Sequence, residues 1–298
     1  MYKQLLIPLD GSKNAENVLP YARLLAAKLN LPTELLSVVE TPVSAAAERA
    51  FYFDEIIERA VEVSREYLNR IAKSFDGIRV TIAVEKGNPE EMIIERAEAD
   101  ENTLIAMATH GRSGIARWLL GSVAEKVVRE AKNPLFLVRA KEEAKTQGQA
   151  ALNPLIVPLD GSKVAESILP HVIELARGIK LKVVLLQAFT LKQIIYTYKD
   201  YIPDFDALER SSKSGASRYL QEKERQLKEA GLDVSSIAAE GEAAETIIEL
   251  AKGSPDSLIA MCTHGRSGIR RWMLGSTTEK VVRHADNPVL TVRAKRET

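Results

Sequence analysis

The sequence predicts an α/β protein made of two tandem copies of one open, parallel, five-stranded sheet with helices on both faces. Three observations predict it. First, the chain repeats itself: residues 103–140 align with residues 257–294 at a constant offset of 154, with 27 identities in 38 positions. A second block sets Leu5-Leu6-Ile7-Pro8-Leu9-Asp10-Gly11-Ser12-Lys13 against Leu155-Ile156-Val157-Pro158-Leu159-Asp160-Gly161-Ser162-Lys163 at an offset of 150, so the second copy gains four residues between the blocks. Second, apolar runs of strand length alternate with helical patterns, the order that produces a parallel sheet joined by helical crossovers. Third, those runs are continuously apolar rather than alternating, as strands covered on both faces are. A period near half of 298 residues is too long for a solenoid unit and suits two domains of ordinary size. The expected division is a first domain over 1–140, a linker over 141–153 containing Gln147-Gly148-Gln149, and a second domain over 154–298.

Each element of the first copy has its own signal. Gln4–Leu9 is an apolar strand ending at the turn Asp10-Gly11-Ser12, after which Ala15, Val18, Leu19, Ala22 and Leu25 recur at helical spacing. Thr33–Val39 is the second strand, Glu40–Phe53 an expected loop, and about Asp54–Lys73 a long helix with Ile56, Ile57, Ala60, Val61, Val63, Leu68 and Ile71 on or near its buried side. Ile78–Val84 is the third strand. Asn88-Pro89-Glu90-Glu91 then opens a helix with a cap, a proline at the first helical position and a capping-box glutamate. Leu104–Ala108 is the fourth strand, Ser122–Ala131 the fourth helix and Leu135–Val138 the fifth strand, introduced by Asn133-Pro134. The second copy repeats the order, with a loop expected over about Thr190–Asp206 that carries Tyr196, Tyr198, Tyr201 and Phe205.

Composition narrows the function. Lys plus Arg equals Asp plus Glu at 41 each, so no global field favours nucleic acid or an anionic membrane, and anion binding has to be local. No apolar run approaches the roughly 20 residues that span a bilayer, so no membrane insertion is expected and the cytoplasm is the expected location. Cys262 is the single cysteine, which excludes an internal disulfide and any multi-cysteine metal site.

The chemistry converges on the carboxyl ends of the strands, where open parallel sheets bind ligands. Asp10 and Asp160 follow the first strand of each copy, and a glycine-rich loop follows the fourth. That loop reads Thr109-His110-Gly111-Arg112-Ser113-Gly114 and runs into Gly121-Ser122; its repeat reads Thr263-His264-Gly265-Arg266-Ser267-Gly268 and runs into Gly275-Ser276. Glycines let a backbone wrap closely around an anion, and the amides at the start of the next helix point back at the loop. Lys13, Arg112 and Arg117 are candidates to add positive charge. A plainer reading of Ser122-Val123-Ala124-Glu125 and Ser276-Thr277-Thr278-Glu279 is a helix capping box, which needs no ligand. It does not account for the further glycines or for their recurrence. His110 and His264 recur without a second histidine or cysteine, so they read as loop-positioning residues rather than metal ligands, and no metal site is expected. Trp118 and Trp272 are expected to pack between loop and helix, and Cys262 to be a buried small residue.

These pieces resemble the universal stress protein family over essentially the whole chain, as two tandem copies. The resemblance rests on Pro8-Leu9-Asp10-Gly11-Ser12, the turn Lys86-Gly87-Asn88-Pro89 (reduced to Glu240-Gly241 in the second copy), and the glycine loop running into Gly121-Ser122. It implies a Rossmann-like fold of the adenine nucleotide alpha hydrolase type. The ATP-binding branch of that family carries Gly-x-x-Gly, nine residues, then Gly-Ser or Gly-Thr. Gly111 with Gly121-Ser122, and Gly265 with Gly275-Ser276, match its later part. The first glycine is replaced by Ala108 and by Cys262. By this resemblance ATP or AMP is the cofactor, with or without magnesium. Pro8, Asp10, Val38, Met107, Ala108 and Arg112 would border the nucleotide in the first copy, with Gly111, Gly121, Ser122 and Val123 on its phosphates. Pro158, Asp160, Ala188, Met261, Cys262 and Arg266 would do so in the second, with Gly265, Gly275, Ser276 and Thr277 on the phosphates.

The resulting expectation is an adenine-nucleotide-binding protein of stress or regulatory type that shows a nucleotide-dependent surface to a protein partner, with weak ATP hydrolysis at most. The alternatives are an interaction module of the same fold that works without nucleotide, and a slow ATP hydrolase. In the resembling family, fifth strands commonly pair across a dimer. Pro134–Arg139 and Pro288–Arg293 are therefore expected to pair within one chain as a pseudo-dimer, with a homodimer as a further possibility.

Overall fold

In a computed structural model, the protein is described over residues 2–41, 50–110, 120–140, 150–190, 205–265 and 274–294. The chain divides into two compact units, Met1–Ala150 and Ala151–Thr298.

The first unit runs β1 (Gln4–Pro8), a 3-10 turn (Ala15–Val18), α1 (Leu19–Leu29), β2 (Thr33–Glu40), α2 (Ala50–Ala72), β3 (Val80–Gly87), α3 (Pro89–Glu98), β4 (Thr103–Ala108), α4 (Ser122–Glu130) and β5 (Leu135–Val138). Its strands lie in the order β3-β2-β1-β4-β5. All four pairings are parallel, with Leu5 opposite Thr33, Leu5 opposite Leu104, Thr33 opposite Val80 and Ile105 opposite Leu135. The direction of winding reverses at β1, so the carboxyl ends of β1 and β4 diverge and leave a crevice between them.

The second unit repeats this with β6 (Leu155–Pro158), a helical turn (Lys163–Glu166), α5 (Leu169–Ile179), β7 (Val183–Phe189), α6 (Phe205–Glu229), β8 (Val234–Glu240), α7 (Ala243–Lys252), β9 (Leu258–Cys262), α8 (Ser276–His284) and β10 (Val289–Val292). Its order is β8-β7-β6-β9-β10, again parallel.

The continuous apolar strands are buried as their sequence requires. Leu5, Leu6, Ile7, Leu104, Ile105 and Ala106 are fully buried, as are Leu155, Ile156, Val157, Leu258, Ile259 and Ala260. Ala15, Val18, Leu19, Ala22 and Leu25 form one buried stripe, although the first two sit in the 3-10 turn rather than in α1. Two of the buried polar residues anchor the last strand of each unit. Asn133 is buried and donates from Nδ2 to the carbonyls of Ala97 at 3.0 Å and Asp100 at 2.9 Å, which fixes the entry to β5, and Asn287 makes the matching bond to Ser254 at 3.0 Å.

Three boundaries depart from the sequence expectation. Helix α2 begins at Ala50, so the end of the expected loop over Glu40–Phe53 is helical, and α6 begins at Phe205 inside the loop expected to Asp206. Strand β3 begins at Val80, because Ile78 still belongs to the preceding turn, donating its amide to the Phe75 carbonyl at 3.3 Å. Ile56 and Val63 are not on the buried side of α2; they are 63% and 51% exposed, while Val61 and Leu68 are buried. Ile56 precedes Ile57 by one residue and Val63 precedes Ser64 likewise, so each lies about 100° around the helix from the inward stripe. Tyr196, Tyr198 and Tyr201 fall outside the described residues.

Candidate functional site

The turn after β1 is an aspartate-led turn whose geometry follows from its three residues. Asp10 Oδ1 accepts the Ser12 amide at 2.9 Å, which holds the carboxylate at the end of the strand, and Gly11 takes φ 82°, a left-handed value that favours glycine. The second unit repeats this at Asp160, where Ser162 donates both its amide at 2.9 Å and its hydroxyl at 2.6 Å to Oδ1. The serine then serves the next element: Ser12 Oγ accepts the Ala15 amide and Ser162 Oγ the Ala165 amide, each at 3.1 Å.

At the end of β4 the chain leaves the sheet and returns at Gly121, whose amide donates to the Thr109 carbonyl at 2.8 Å; Gly275 and Thr263 make the same 2.8 Å closure. The second of these requires glycine, since a Cβ on Gly275 would stand 2.8 Å from the Thr263 carbonyl oxygen. Gly121 and Gly275 are themselves the N-caps of α4 and α8, with extended backbones and no side-chain cap bond. This corrects the capping-box reading of Ser122 and Ser276. Both serines are first helical residues, and Glu125 and Glu279 instead pair with Arg129 and Arg283 one turn on, each at 3.0 Å. Those pairs offset the negative charge that would otherwise oppose an anion at the helix start.

The first intrahelical bonds are Glu125 to the Gly121 carbonyl at 2.8 Å and Glu279 to the Gly275 carbonyl at 2.9 Å. Among the described residues, the amides of Ser122, Val123 and Ala124, and of Ser276, Thr277 and Thr278, therefore have no acceptor.

The aspartate turn and the open helix start face one cavity in each unit. In the first unit its volume is about 590 Å³, and it gathers Pro8, Asp10, Val38, Met107, Ala108, Gly121, Ser122 and Val123, every described residue that the family resemblance nominated there. In the second it is about 250 Å³ and gathers Pro158, Asp160, Ala188, Met261, Cys262, Gly265, Gly275, Ser276 and Thr277. Gly111, Arg112 and Arg266 lie outside the described residues, as do Gly114, Arg117, Trp118 and Trp272. Among the described lining residues neither cavity carries a lysine or arginine. Lys13 is committed elsewhere, with its ammonium 2.9 Å from Glu16.

Sequence reasoning missed part of the lining. Ser37, Ile57, Ala60 and Ser64 wall the first cavity. The last three sit on the inward stripe of α2, where small and apolar residues at helical spacing carry the same signal as ordinary core. Ala124 and Thr278 also line the cavities, one residue beyond the nominated Val123 and Thr277.

Two further groups are set by burial. His110 lines the first cavity with Nδ1 3.1 Å from the Thr109 hydroxyl, and the matching pair, Thr263 and His264, stands at 3.0 Å. Burial first, and the Arg139 charge second, hold the His110 pKa below the ordinary histidine value. Cys262 is buried, with Sγ 3.5 Å from Ser167 Oγ and 3.6 Å from the Ala165 carbonyl, and desolvation pushes its thiol up to about 11. Neither it nor Ala108 has a positive φ, so replacing the family's first glycine costs space and not backbone strain.

The crevice at the strand-order reversal, entered by an aspartate turn and an open helix start, marks an α/β domain of one plan present twice. The model of the universal stress protein family matches residues 1–139 and again 152–293, and the chain belongs to that family as a tandem two-domain member. A universal stress protein of Mycobacterium tuberculosis is 24% identical over 302 residues, covering 97% of this chain and 96% of its own. A universal stress protein of Methanocaldococcus jannaschii is 30% identical over 141 residues, 47% of this chain and 83% of its own. The crystal structure of a universal stress protein from Archaeoglobus fulgidus superposes with a TM-score of 0.72 at 23% identity, covering 97% of this chain and 98% of that one, and shows the shared fold. That fold is Rossmann-like, of the adenine nucleotide alpha hydrolase type.

Proposed function

We propose that the protein binds an adenine nucleotide, ATP or AMP, in the crevice of its first unit and acts as a nucleotide-responsive regulatory protein rather than as a fast enzyme. The observation that carries this reading is a cavity of about 590 Å³, within the ordinary range for small-molecule sites, that joins Asp10 to three amides without an acceptor among the described residues. The nucleoside would lie toward Asp10 and Val38, where a carboxylate accepts from ribose hydroxyls and an apolar wall meets the base. The phosphates would lie at Ser122, Val123 and Ala124, whose amides supply donors at the positive end of α4. Gly111 and Arg112 are proposed to complete that end. With no cation among the described lining residues, affinity would come from backbone donors and apolar contact. No group of three or more His, Cys, Asp or Glu among the described residues suits a metal ion, so magnesium would enter on the phosphates.

Isothermal titration with ATP and with AMP, each with and without magnesium, tests the reading. Binding tighter than millimolar is expected, and its absence for both nucleotides would sink the proposal. Phosphate release compared between the wild type and the Asp10→Ala/Asp160→Ala double variant separates binding from turnover, with little or no release expected.

A nucleotide-independent interaction module is the second reading for the second unit, favoured by its smaller cavity and by Cys262 in place of glycine. A cytoplasmic location and an intramolecular pseudo-dimer with a regulatory protein partner complete the proposal. No helix among the described residues is long and apolar enough to cross a membrane. Size-exclusion chromatography with light scattering, with and without ATP, reads the assembly.

A further inference from the structure

The two crevices differ in the same place. At the end of the fourth strand of the first unit stands Ala108, and in the first turn of the following helix stands Ala124; both are buried and both line the cavity. At the matching positions the second unit has Cys262 and Thr278, also buried and also lining. The larger pair is interlocked. Thr278 Oγ1 donates to the Cys262 carbonyl at 2.9 Å, and Cys262 Sγ reaches to 3.6 Å from the carbonyl of Ala165, which forms the cavity floor. In the first unit two methyl groups occupy these positions, and Ala15 stands where Ala165 does. The cavity volumes also differ, about 590 Å³ against about 250 Å³, the first extending further along α2 to Ile57, Ala60 and Ser64.

Thr278 stands in the first turn of α8, where phosphate would bind, and Cys262 ends the strand beside it. Added bulk there shortens the space for a phosphate chain. The interlock also removes the easiest relief, because a threonine bonded to a strand carbonyl cannot rotate away without leaving that donor unsatisfied in a buried site.

We propose that these two positions set the length of phosphate chain each unit accepts: Ala108 with Ala124 admits a nucleoside triphosphate, and Cys262 with Thr278 restricts the second unit to a nucleoside monophosphate or smaller. This rests on the nucleotide reading above.

Titration of the intact chain with ATP and, separately, with AMP tests it. One ATP and two AMP per chain are expected for the wild type. C262A combined with T278A brings the ATP stoichiometry to two. A108C combined with A124T weakens ATP by about tenfold or more and leaves AMP within about threefold. T278V keeps the bulk but loses the donor, and should still bind one ATP; T278A alone serves if the double variant does not fold by circular dichroism. Labelling with 8-azido-ATP and peptide mapping assigns the occupied unit, expected to be the first. Two equal ATP sites in the wild type, a folded C262A/T278A or T278A chain still limited to one ATP, or label in the second unit alone overturns the size rule. Failure of both ATP and AMP to bind at all instead removes the nucleotide reading.

Discussion

Burial acts on Cys262 and His110 in ways that solution measurements can separate. The thiol, pushed up to about 11, is almost wholly protonated near neutrality, and the thiolate is the reactive form. Native protein at about pH 8 should therefore react with a disulfide reagent at least about tenfold more slowly than urea-unfolded protein, and faster as pH rises. Equal rates in the two states would show that the thiol is not protected. For His110 the folded chain holds the proton less readily than the unfolded chain, because burial lowers its pKa. The unfolded state thus takes up a proton first as pH falls through the ordinary histidine value of about 6.5, and stability is lost on the acid side while remaining full above it. Urea midpoints measured between about pH 7 and pH 5.5 should fall, and His110→Gln should flatten that slope. A slope unchanged in the variant would remove His110 as a contributor.

At the scale of elements, the two ways of starting a helix in this chain make opposite predictions. Asn88 caps α3 by accepting the Glu91 amide on its side chain at 3.1 Å, whereas α4 starts from Gly121 with no side-chain cap. Asn88→Ala should cost about 1 kcal/mol, the usual loss of a capping side chain, while Ser122→Ala should cost less than about 0.5 kcal/mol in the absence of nucleotide. Urea unfolding of both variants measures the difference, and a Ser122→Ala loss equal to that of Asn88→Ala would restore the capping-box reading. The same contrast shows what was legible in the sequence. Strand order and helix identity follow from continuous apolar runs, and the α3 cap from Asn-Pro-Glu-Glu. The α4 cap is ambiguous in sequence because Ser-x-x-Glu describes two registers, and only the closure of Gly121 onto Thr109 chooses between them. The α2 face was read too wide for a related reason. Composition marks Ile56 and Val63 as apolar, but which apolar residues turn inward depends on where the helix crosses β2 and β3. Ser37 and Ser64 became visible as lining residues only once that crossing was known.

At the scale of the whole molecule, duplication supplies an internal control, because two units of one fold differ in cavity volume by more than a factor of two. A ligand that binds the folded state alone stabilises it by an amount set by its concentration over Kd, about 2.7 kcal/mol at one hundred times Kd. For a unit of this size that corresponds to an upward shift of roughly 5–10 °C in its melting temperature. If ATP occupies only the larger crevice, the stabilisation belongs to one unit, and calorimetry of the intact chain should resolve a shifted and an unshifted transition. Hydrogen exchange locates the shift. Protection should rise at the Asp10 turn and over the first turn of α4, whose amides gain acceptors, and should stay unchanged over the first turn of α8. Equal protection of both helix starts would mean that the crevices are equivalent for ATP despite Cys262 and Thr278. Protection spread evenly over all helices would mean that nucleotide acts on the chain as a whole and not at a helix start. The α4 amides discriminate most sharply, because among the described residues they have no acceptor until a ligand provides one.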